Sequence, residues 1–196
     1  MKITEDYVRK TIEEVAHLVE EVSGLKTNLK DFLVSWDIKN PFASSQYDTG
    51  KKEFIFNPRL FWNDDALKLI SGHEVFHNAQ YSTFPKLEDK TKNPSKHRNN
   101  EEKSIIMLIE GDATLIEKIL HQKYFKNPLE ELYEERPLFR KNSSSIRYSY
   151  DINYLKWAKI LQNKFDGKRK DINELYTVPI KELDKIFGEN QKGGQN

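Results

Sequence analysis

The sequence predicts an α+β fold in which a small N-terminal β-sheet lies beside a long helix and a mainly helical part follows. Two observations support this class. Short apolar runs rich in β-branched and aromatic residues occur at 31–38 and 45–56, which predicts strands. Apolar residues recur every three or four positions elsewhere, which predicts helices near 4–23, 63–80, 100–124, 152–164, 172–176 and 180–187.

The first helix is predicted to pack against the core, because Val8, Ile12, Val15 and Val19 fall on one face. Ser23-Gly24 is a typical helix stop. His17 lies near the apolar face and is interpreted as a surface histidine. The segment 45–56 is predicted to form a hairpin that turns at Asp48-Thr49-Gly50.

The second helix carries the motif HExxH, from His73 to His77, after Asn63 as a predicted N-cap. Two histidines four residues apart share a helix face, so both imidazoles can reach one zinc ion. Glu74 is then placed to hold a water at that metal. The alternative interpretation is a pair of surface histidines in a plain helical domain without a metal.

Two histidines leave a zinc ion short of a ligand. The chain has no cysteine, which excludes thiolate ligands and the peptide-deformylase type of HExxH site. The metzincin pattern requires Gly at 80 and His at 83, whereas Gln80 and Thr83 stand there. The polar segment 82–100 is predicted to be a loop, and its His97 is interpreted as a solvated residue.

The helix predicted at 100–124 is apolar around much of its circumference, so Glu110, Asp112 and Glu117 need partners wherever they face inward. Gly111 and Ala113 flank Asp112 and are small enough for close packing against a second helix at a metal. Glu110 is therefore predicted as the third ligand, in a His2Glu site for one zinc ion per chain.

Composition restricts the class of protein. Lys and Arg number 32 against 31 Asp and Glu, and the net charge of +1 argues against a nucleic-acid or membrane-surface binder. The charged N-terminal residues do not resemble a signal peptide, and no run approaches the roughly 20 apolar residues of a membrane span. These features predict a cytoplasmic protein.

One domain is expected over 1–187, with subdomains at about 1–80 and 81–187 and a disordered tail at 188–196.

Across about residues 45–187 the chain resembles the gluzincin metallopeptidases, in particular small soluble members. The matching elements are the run from His73 to Gln80 with its HExxH motif, the EGxA pattern at 110–113, and a Tyr-rich helix start at 148–151. An aromatic helix and the run 175–179 follow the last of these. The resemblance implies a zincin-like fold in which His73, His77 and Glu110 bind zinc. It also implies that Glu74 is the general base, that Tyr148 or Tyr150 stabilises the oxyanion, and that a sheet edge holds the substrate by strand addition.

The sequence departs from the family at two positions. Asp151 stands where members usually carry Gly, which leaves the choice between Tyr148 and Tyr150 open. Thr114 stands where thermolysin-like enzymes have an Asp that supports one ligand histidine, so another residue must give that support or it is absent.

The function implied is that of a zinc metallopeptidase that hydrolyses a peptide or protein substrate with a metal-activated water and Glu74 as general base. The alternative is a catalytically inactive, zinc-binding zincin-fold protein that acts as a binding or regulatory module.

Overall fold

The computed structural model describes residues 3–36, 45–57, 63–87, 100–125 and 146–188, and within them the side chains of 100–102 and 146–153 are left undescribed. The fold is α+β and mainly helical, as predicted. In chain order the elements are α1 (Glu5–Ser23), β1 (Leu33–Trp36), β2 (Gln46–Asp48), β3 (Glu53–Phe56), α2 (Asp64–Thr83), α3 (Asn100–Tyr124), α4 (Ile146–Phe165), α5 (Arg169–Glu174) and α6 (Ile180–Gly188).

The first helix begins and ends where the sequence predicts. The Thr4 side chain accepts a hydrogen bond from the backbone N–H of Tyr7 at 3.3 Å, which caps the helix start. Gly24 has a φ of 70°, and its N–H bonds to the Glu20 carbonyl. A residue with a side chain is strained at that φ, so glycine ends the helix cheaply. The buried face of α1 packs along α2.

The sheet has three strands in the order β1-β3-β2. The predicted hairpin is confirmed, since β2 and β3 are antiparallel with Tyr47 opposite Phe54. Strand β1 pairs with β3 in parallel, with Val34 opposite Phe54. Residues 37 and 38 of the first predicted strand lie outside the described residues. Among the described strands, β2 therefore lies at one edge of the sheet.

The apolar core consists of two clusters that meet at α3. One cluster joins α1, the sheet and α2 to Ala113, Ile116 and Leu120 of α3. The other joins Ile105, Leu108, Ile109 and Leu115 of α3 to the C-terminal helices. Because α3 is packed on both sides, its apolar residues surround it, as the sequence indicated.

The structure changes several predicted boundaries. Helix α4 begins at Ile146 rather than after Asp151, so 147–151 belongs to its first turns. Helix α2 continues to Thr83, which shortens the predicted loop at its start. Helix α6 includes Gly188, the first residue of the predicted tail. Residues 88–99, including His97, and 189–196 lie outside the described residues, and the division into two subdomains stays a prediction. None of the described helices has the length and apolar character needed to cross a membrane.

Candidate metal centre

The HExxH motif lies in the middle of a firmly anchored helix. The Asn63 side chain accepts a hydrogen bond from the Ala66 N–H at 2.7 Å, as expected for an N-cap. The hydroxyl of Tyr7 on α1 donates to the carboxylate of Asp64 in the first turn. Most of α2 is buried between its neighbours, and the exposed fractions of Glu74 and His77 are 5% and 8%. The interpretation of the motif histidines as a solvated surface pair is therefore wrong.

The three predicted metal ligands come together between α2 and α3. The Nε2 atoms of His73 and His77 lie 3.5 and 3.6 Å from the same Oε2 of Glu110. The two imidazole rings are 4.8 Å apart and nearly perpendicular, at 80°. The candidate ligand atoms of His73, His77 and Glu110 all lie within 4.8 Å of one another, close enough for one metal ion to contact all three.

The donor set can be tested against zinc. Tetrahedral zinc with bonds of about 2.0–2.1 Å to nitrogen and oxygen places its ligand atoms roughly 3.3–3.4 Å apart. The distances from Oε2 of Glu110 to the two Nε2 atoms, 3.5 and 3.6 Å, are close to that spacing. Two imidazoles and one carboxylate also match the ligand types of a three-ligand site with an open fourth position. The three residues could therefore hold a metal ion, and their donor types are among those that zinc accepts.

The other ring nitrogen of each histidine is also engaged. Nδ1 of His73 lies 3.4 Å from Oε2 of Glu117, and Nδ1 of His77 lies 2.8 Å from Oε1 of Gln80. Partners at Nδ1 hold each ring in place and leave Nε2 directed at Glu110. Glu117 thus supports His73. Thr114 does not act in its place, since the Thr114 hydroxyl donates to the backbone carbonyl of Glu110.

Three carboxylates around two imidazoles make the site suited to a cation. Burial alone would raise the pKa of Glu110, but His77 and His73 outweigh burial and lower that pKa well below its usual range. Burial alone would lower the pKa of His73, but hydrogen bonds to Glu110 and Glu117 raise it well above its ordinary value. The carboxylates of Glu110 and Glu117 thus favour the positively charged form of the His73 imidazole.

Glu74 lies beside this cluster and faces the edge strand. Burial raises the pKa of its carboxyl group, although His73 and His77 act in the opposite direction. The backbone of Tyr47, in β2, hydrogen-bonds to the same carboxylate. The site therefore has a buried carboxylate between a candidate metal position and a strand edge.

Asn78 holds the edge strand against the motif helix. Its Nδ2 donates to the Tyr47 hydroxyl at 2.9 Å and to the Asn28 carbonyl at 3.0 Å. Its Oδ1 accepts from the Asn28 N–H at 2.7 Å. All of these bonds come from one fully buried side chain next to His77. The distance between β2 and the candidate ligand His77 is therefore fixed by hydrogen bonds rather than by apolar packing alone.

Two further predicted site residues, Tyr148 and Tyr150, are described by their backbone only. Tyr148 and Tyr150 lie in the first turns of α4, where the side chains are outside the described part of the chain, so their role stays a prediction. The expected close packing of Gly111 against a second helix is confirmed, and the position of that helix at a metal stays a prediction. A Cβ at Gly111 would lie 2.7 Å from Cβ of Trp157, so the close approach that it permits is to α4.

Several residues of the site were not predicted from the sequence. Glu117 follows Glu110 by two helical turns, and that spacing alone indicates a shared face. Gln80 and Tyr176 lie in runs that resemble gluzincins, but the resemblance assigns neither a role. Gln80 lies three residues after His77 and so within reach of it. Arg169 belongs to the C-terminal helical part, and no local pattern connects it to the motif.

Comparisons with protein-family models, with curated proteins and with solved structures gave no match to this chain. The resemblance to gluzincins therefore stays a prediction from the sequence motifs, and the structure adds the cluster formed by His73, His77 and Glu110.

Proposed function

We propose that this protein is a zinc-dependent metallopeptidase with a zincin-like fold, in which His73, His77 and Glu110 bind the metal. The observation that carries the proposal is the arrangement of the donor atoms. Both Nε2 atoms face one carboxylate oxygen of Glu110, while Glu117 and Gln80 occupy both Nδ1 atoms. Two histidines packed for structural reasons alone do not need all four ring nitrogens directed in this way.

Bound zinc would supply a Lewis acid with an open fourth position. Glu74 supplies the proton transfers. Its buried carboxylate accepts a proton from the attacking water and then delivers that proton to the amine that leaves. A carboxyl group with a raised pKa is better suited to both steps at neutral pH, because it holds the proton more readily.

The position of β2 supports a peptide as the substrate class. An extended peptide that pairs with the edge strand would run alongside Tyr47, whose backbone hydrogen-bonds to Glu74. Its scissile bond would then lie close to both the general base and the metal ligands. Main-chain pairing of this kind depends little on side chains, so we expect the protein to cleave extended or unfolded segments.

The metal is tested by mass spectrometry of purified protein after dialysis against a weak chelator. We expect one zinc per chain in the wild type and much less in Glu110→Ala and His77→Ala. His121→Ala is the matched control, because His121 is 7% exposed against 8% for His77 and is not part of the cluster. Equal zinc in all four proteins would show that the ligands are elsewhere, and absence of zinc from the wild type would overturn the proposal.

The reaction is tested with a quenched fluorescent peptide library and an unfolded protein substrate. We expect Glu74→Gln to keep the zinc of the wild type and to lose cleavage, because the amide cannot accept the proton. If the wild type binds zinc and cleaves nothing, the metallopeptidase proposal fails and a zinc-binding recognition module becomes the better account.

A further inference from the structure

A line of polar side chains runs from the candidate metal centre to the C-terminal helices. Gln80 contacts His77 at one end, and its Nε2 lies 2.6 Å from the hydroxyl of Tyr176. The Tyr176 hydroxyl lies 2.8 Å from Oδ2 of Asp112. Asp112 in turn forms an ion pair with Arg169 through two N–H groups. We call Gln80, Tyr176, Asp112 and Arg169 the relay.

The donor and the acceptor of each hydrogen bond in the relay can be assigned, because Arg169 at one end can only donate and the Ile109 carbonyl near the other end can only accept. The Arg169 guanidinium can only donate, so the Asp112 carboxylate accepts from it and also accepts from the Tyr176 hydroxyl. The Tyr176 oxygen therefore accepts from Nε2 of Gln80. The other hydrogen of that Nε2 goes to the backbone carbonyl of Ile109 at 3.0 Å, and a carbonyl can only accept.

These directions fix the Gln80 amide. With both hydrogens of its Nε2 committed, only Oε1 is left to face His77, and an amide oxygen accepts. Nδ1 of His77 must therefore carry the hydrogen. The lone pair of Nε2 is then left for a metal ion, which would lie between Nε2 and the carboxylate of Glu110.

The relay also costs free energy, because its polar and charged groups are removed from water. The exposed fractions of Asp112 and Gln80 are 0%, and Tyr176 is 6% exposed. Burial of a charged pair usually stabilises a protein no more than well-packed apolar residues would. Arg169 is held in place by Asn173 Oδ1 at 2.8 Å, and Asn173 donates to the Ser23 carbonyl at 2.9 Å. A line of buried polar groups with this much support calls for a role beyond stability.

We propose that the relay is the positioning device for His77, and that Gln80 and Tyr176 are positioning residues which hold its Nδ1-protonated tautomer ready for the metal. For the metal this inference rests on the proposed function, whereas the tautomer itself belongs to the metal-free protein. Through the relay, the C-terminal segment from Arg169 to Tyr176 is connected to the candidate ligand His77.

The inference is tested on metal-free, 15N-labelled protein by the imidazole nitrogen shifts of His77 at alkaline pH. These shifts distinguish the two neutral tautomers, and a change in overall stability does not alter them. We expect a single Nδ1-protonated form in the wild type and a mixture in Gln80→Leu. Tyr176→Phe removes one oxygen atom and frees one Gln80 hydrogen, and we expect it to give a partial mixture while it keeps the fold.

A control of the same chemistry is available where α1 contacts the first turn of α2. Tyr7→Phe also removes a phenol hydroxyl that donates to an aspartate, but at the opposite end of α2. We expect the zinc dissociation constant, from competition with a chromophoric chelator, to rise about 10- to 100-fold in Gln80→Leu. In Tyr176→Phe we expect a rise of about threefold to tenfold, and in Tyr7→Phe less than about twofold.

The outcomes separate this inference from the proposed function. If the wild type binds no zinc but the His77 tautomer changes as expected in Gln80→Leu and Tyr176→Phe, the relay stands and the metallopeptidase proposal fails. If zinc binds and both relay variants match Tyr7→Phe in tautomer and in affinity, the relay inference is overturned while the metal site stands.

Discussion

At the scale of single residues, the carboxylate of Glu117 is the group that distinguishes this site from a bare pair of histidines and a glutamate. It is 6% exposed and lies 3.4 Å from Nδ1 of His73. A carboxylate at this nitrogen increases the basicity of the imidazole and so strengthens its bond to a metal through Nε2.

We therefore expect Glu117→Gln to raise the zinc dissociation constant about tenfold while the protein stays folded, because the amide keeps the shape and loses the charge. Competition with a chromophoric chelator measures the change. Glu53→Gln is the control, since Glu53 also pairs with a cation, Lys51 at 3.8 Å, but lies in the sheet. An equal effect in the two variants would mean that Glu117 does not act on the metal.

Glu20 gives a prediction about acid stability that is independent of the metal. Its carboxylate accepts from Lys26 Nζ at 2.8 Å and from the Thr27 N–H and hydroxyl at 2.9 and 2.8 Å. These bonds, that of Lys26 first, lower its pKa from 4.5 to about 2. A lowered folded-state pKa stabilises the protein above the unfolded pKa, and the stabilisation is lost as the pH falls through the folded value.

We expect Glu20→Gln to lower the free energy of unfolding by about 1 kcal/mol at neutral pH, after allowance for solvent screening. The difference from the wild type should shrink as the pH falls from about 4.5 toward about 2. Urea titrations across that range measure it. Glu182→Gln removes a surface charge 3.8 Å from Lys185 and is the control for loss of charge itself. A difference that does not change with pH would contradict the assignment.

The site residues that could be predicted from the sequence are those that lie in local helical patterns. His73 and His77 are one turn apart, and Glu110 is a carboxylate on a helix that is apolar around much of its circumference, so a local pattern was enough. The bond between Gln80 and Tyr176 joins residues 96 positions apart. Only the tertiary packing of α3 against the C-terminal helices brings them together, and one sequence does not encode that packing in any short pattern.

At the scale of elements, the packing of α3 on α4 depends on Gly111. A Cβ at this position would lie 2.7 Å from Cβ of Trp157 and 3.1 and 3.3 Å from backbone atoms of Trp157 and Ala158. Backbone atoms cannot move aside by a rotamer change, so an added methyl group must push the two helices apart.

We expect Gly111→Ala to lower the free energy of unfolding by about 1–3 kcal/mol, because the overpacking exceeds the gain in helix propensity. Gly72→Ala should cost less, since its new Cβ would meet only the side chains of Leu120 and Val15. Gly50→Ala should be nearly neutral, with its closest neighbour an oxygen of Asp48 at 3.5 Å. Chemical denaturation tests this ranking, and a Gly111→Ala protein as stable as Gly50→Ala would contradict it.

Helices and the hairpin were predicted better than their arrangement. The end of α1 at Gly24 and the β2–β3 hairpin follow from local chemistry, namely a residue with positive φ and a short turn. The parallel pairing of β1 with β3 was not predicted, because side-chain alternation indicates a strand and not its partner. Apolar periodicity placed the start of α4 after Asp151, because the run around Tyr148 to Asp151 lacks that periodicity. The resemblance placed a helix start at 148–151, which is closer to the observed Ile146.

At the scale of the whole molecule, α2 and α3 carry the candidate ligands and also the apolar residues that hold the fold together. A metal that bridges them should therefore stabilise the protein as a whole. A ligand at about 1,000 times its dissociation constant contributes roughly 4 kcal/mol, which corresponds to a rise in melting temperature of about 10 °C for a chain of this size.

We expect chelation to lower the melting temperature by about that amount and zinc to restore it. The metal-free protein should keep its helical circular dichroism, because the two apolar clusters do not include the metal ligands. His77→Ala should melt at the same temperature with and without zinc, whereas His121→Ala should respond as the wild type does. A zinc response in His77→Ala as large as in the wild type would contradict the site.

The relay also has a consequence for the order in which the protein is made. Tyr176 is synthesised 96 residues after Gln80, and Arg169 is synthesised 57 residues after its partner Asp112. His73, His77, Gln80 and Glu110 thus leave the ribosome before Tyr176 and Arg169, which complete the relay. If the proposed function holds, we expect a nascent chain that already has its three candidate ligands to bind zinc more weakly until the C-terminal helices have folded onto α3.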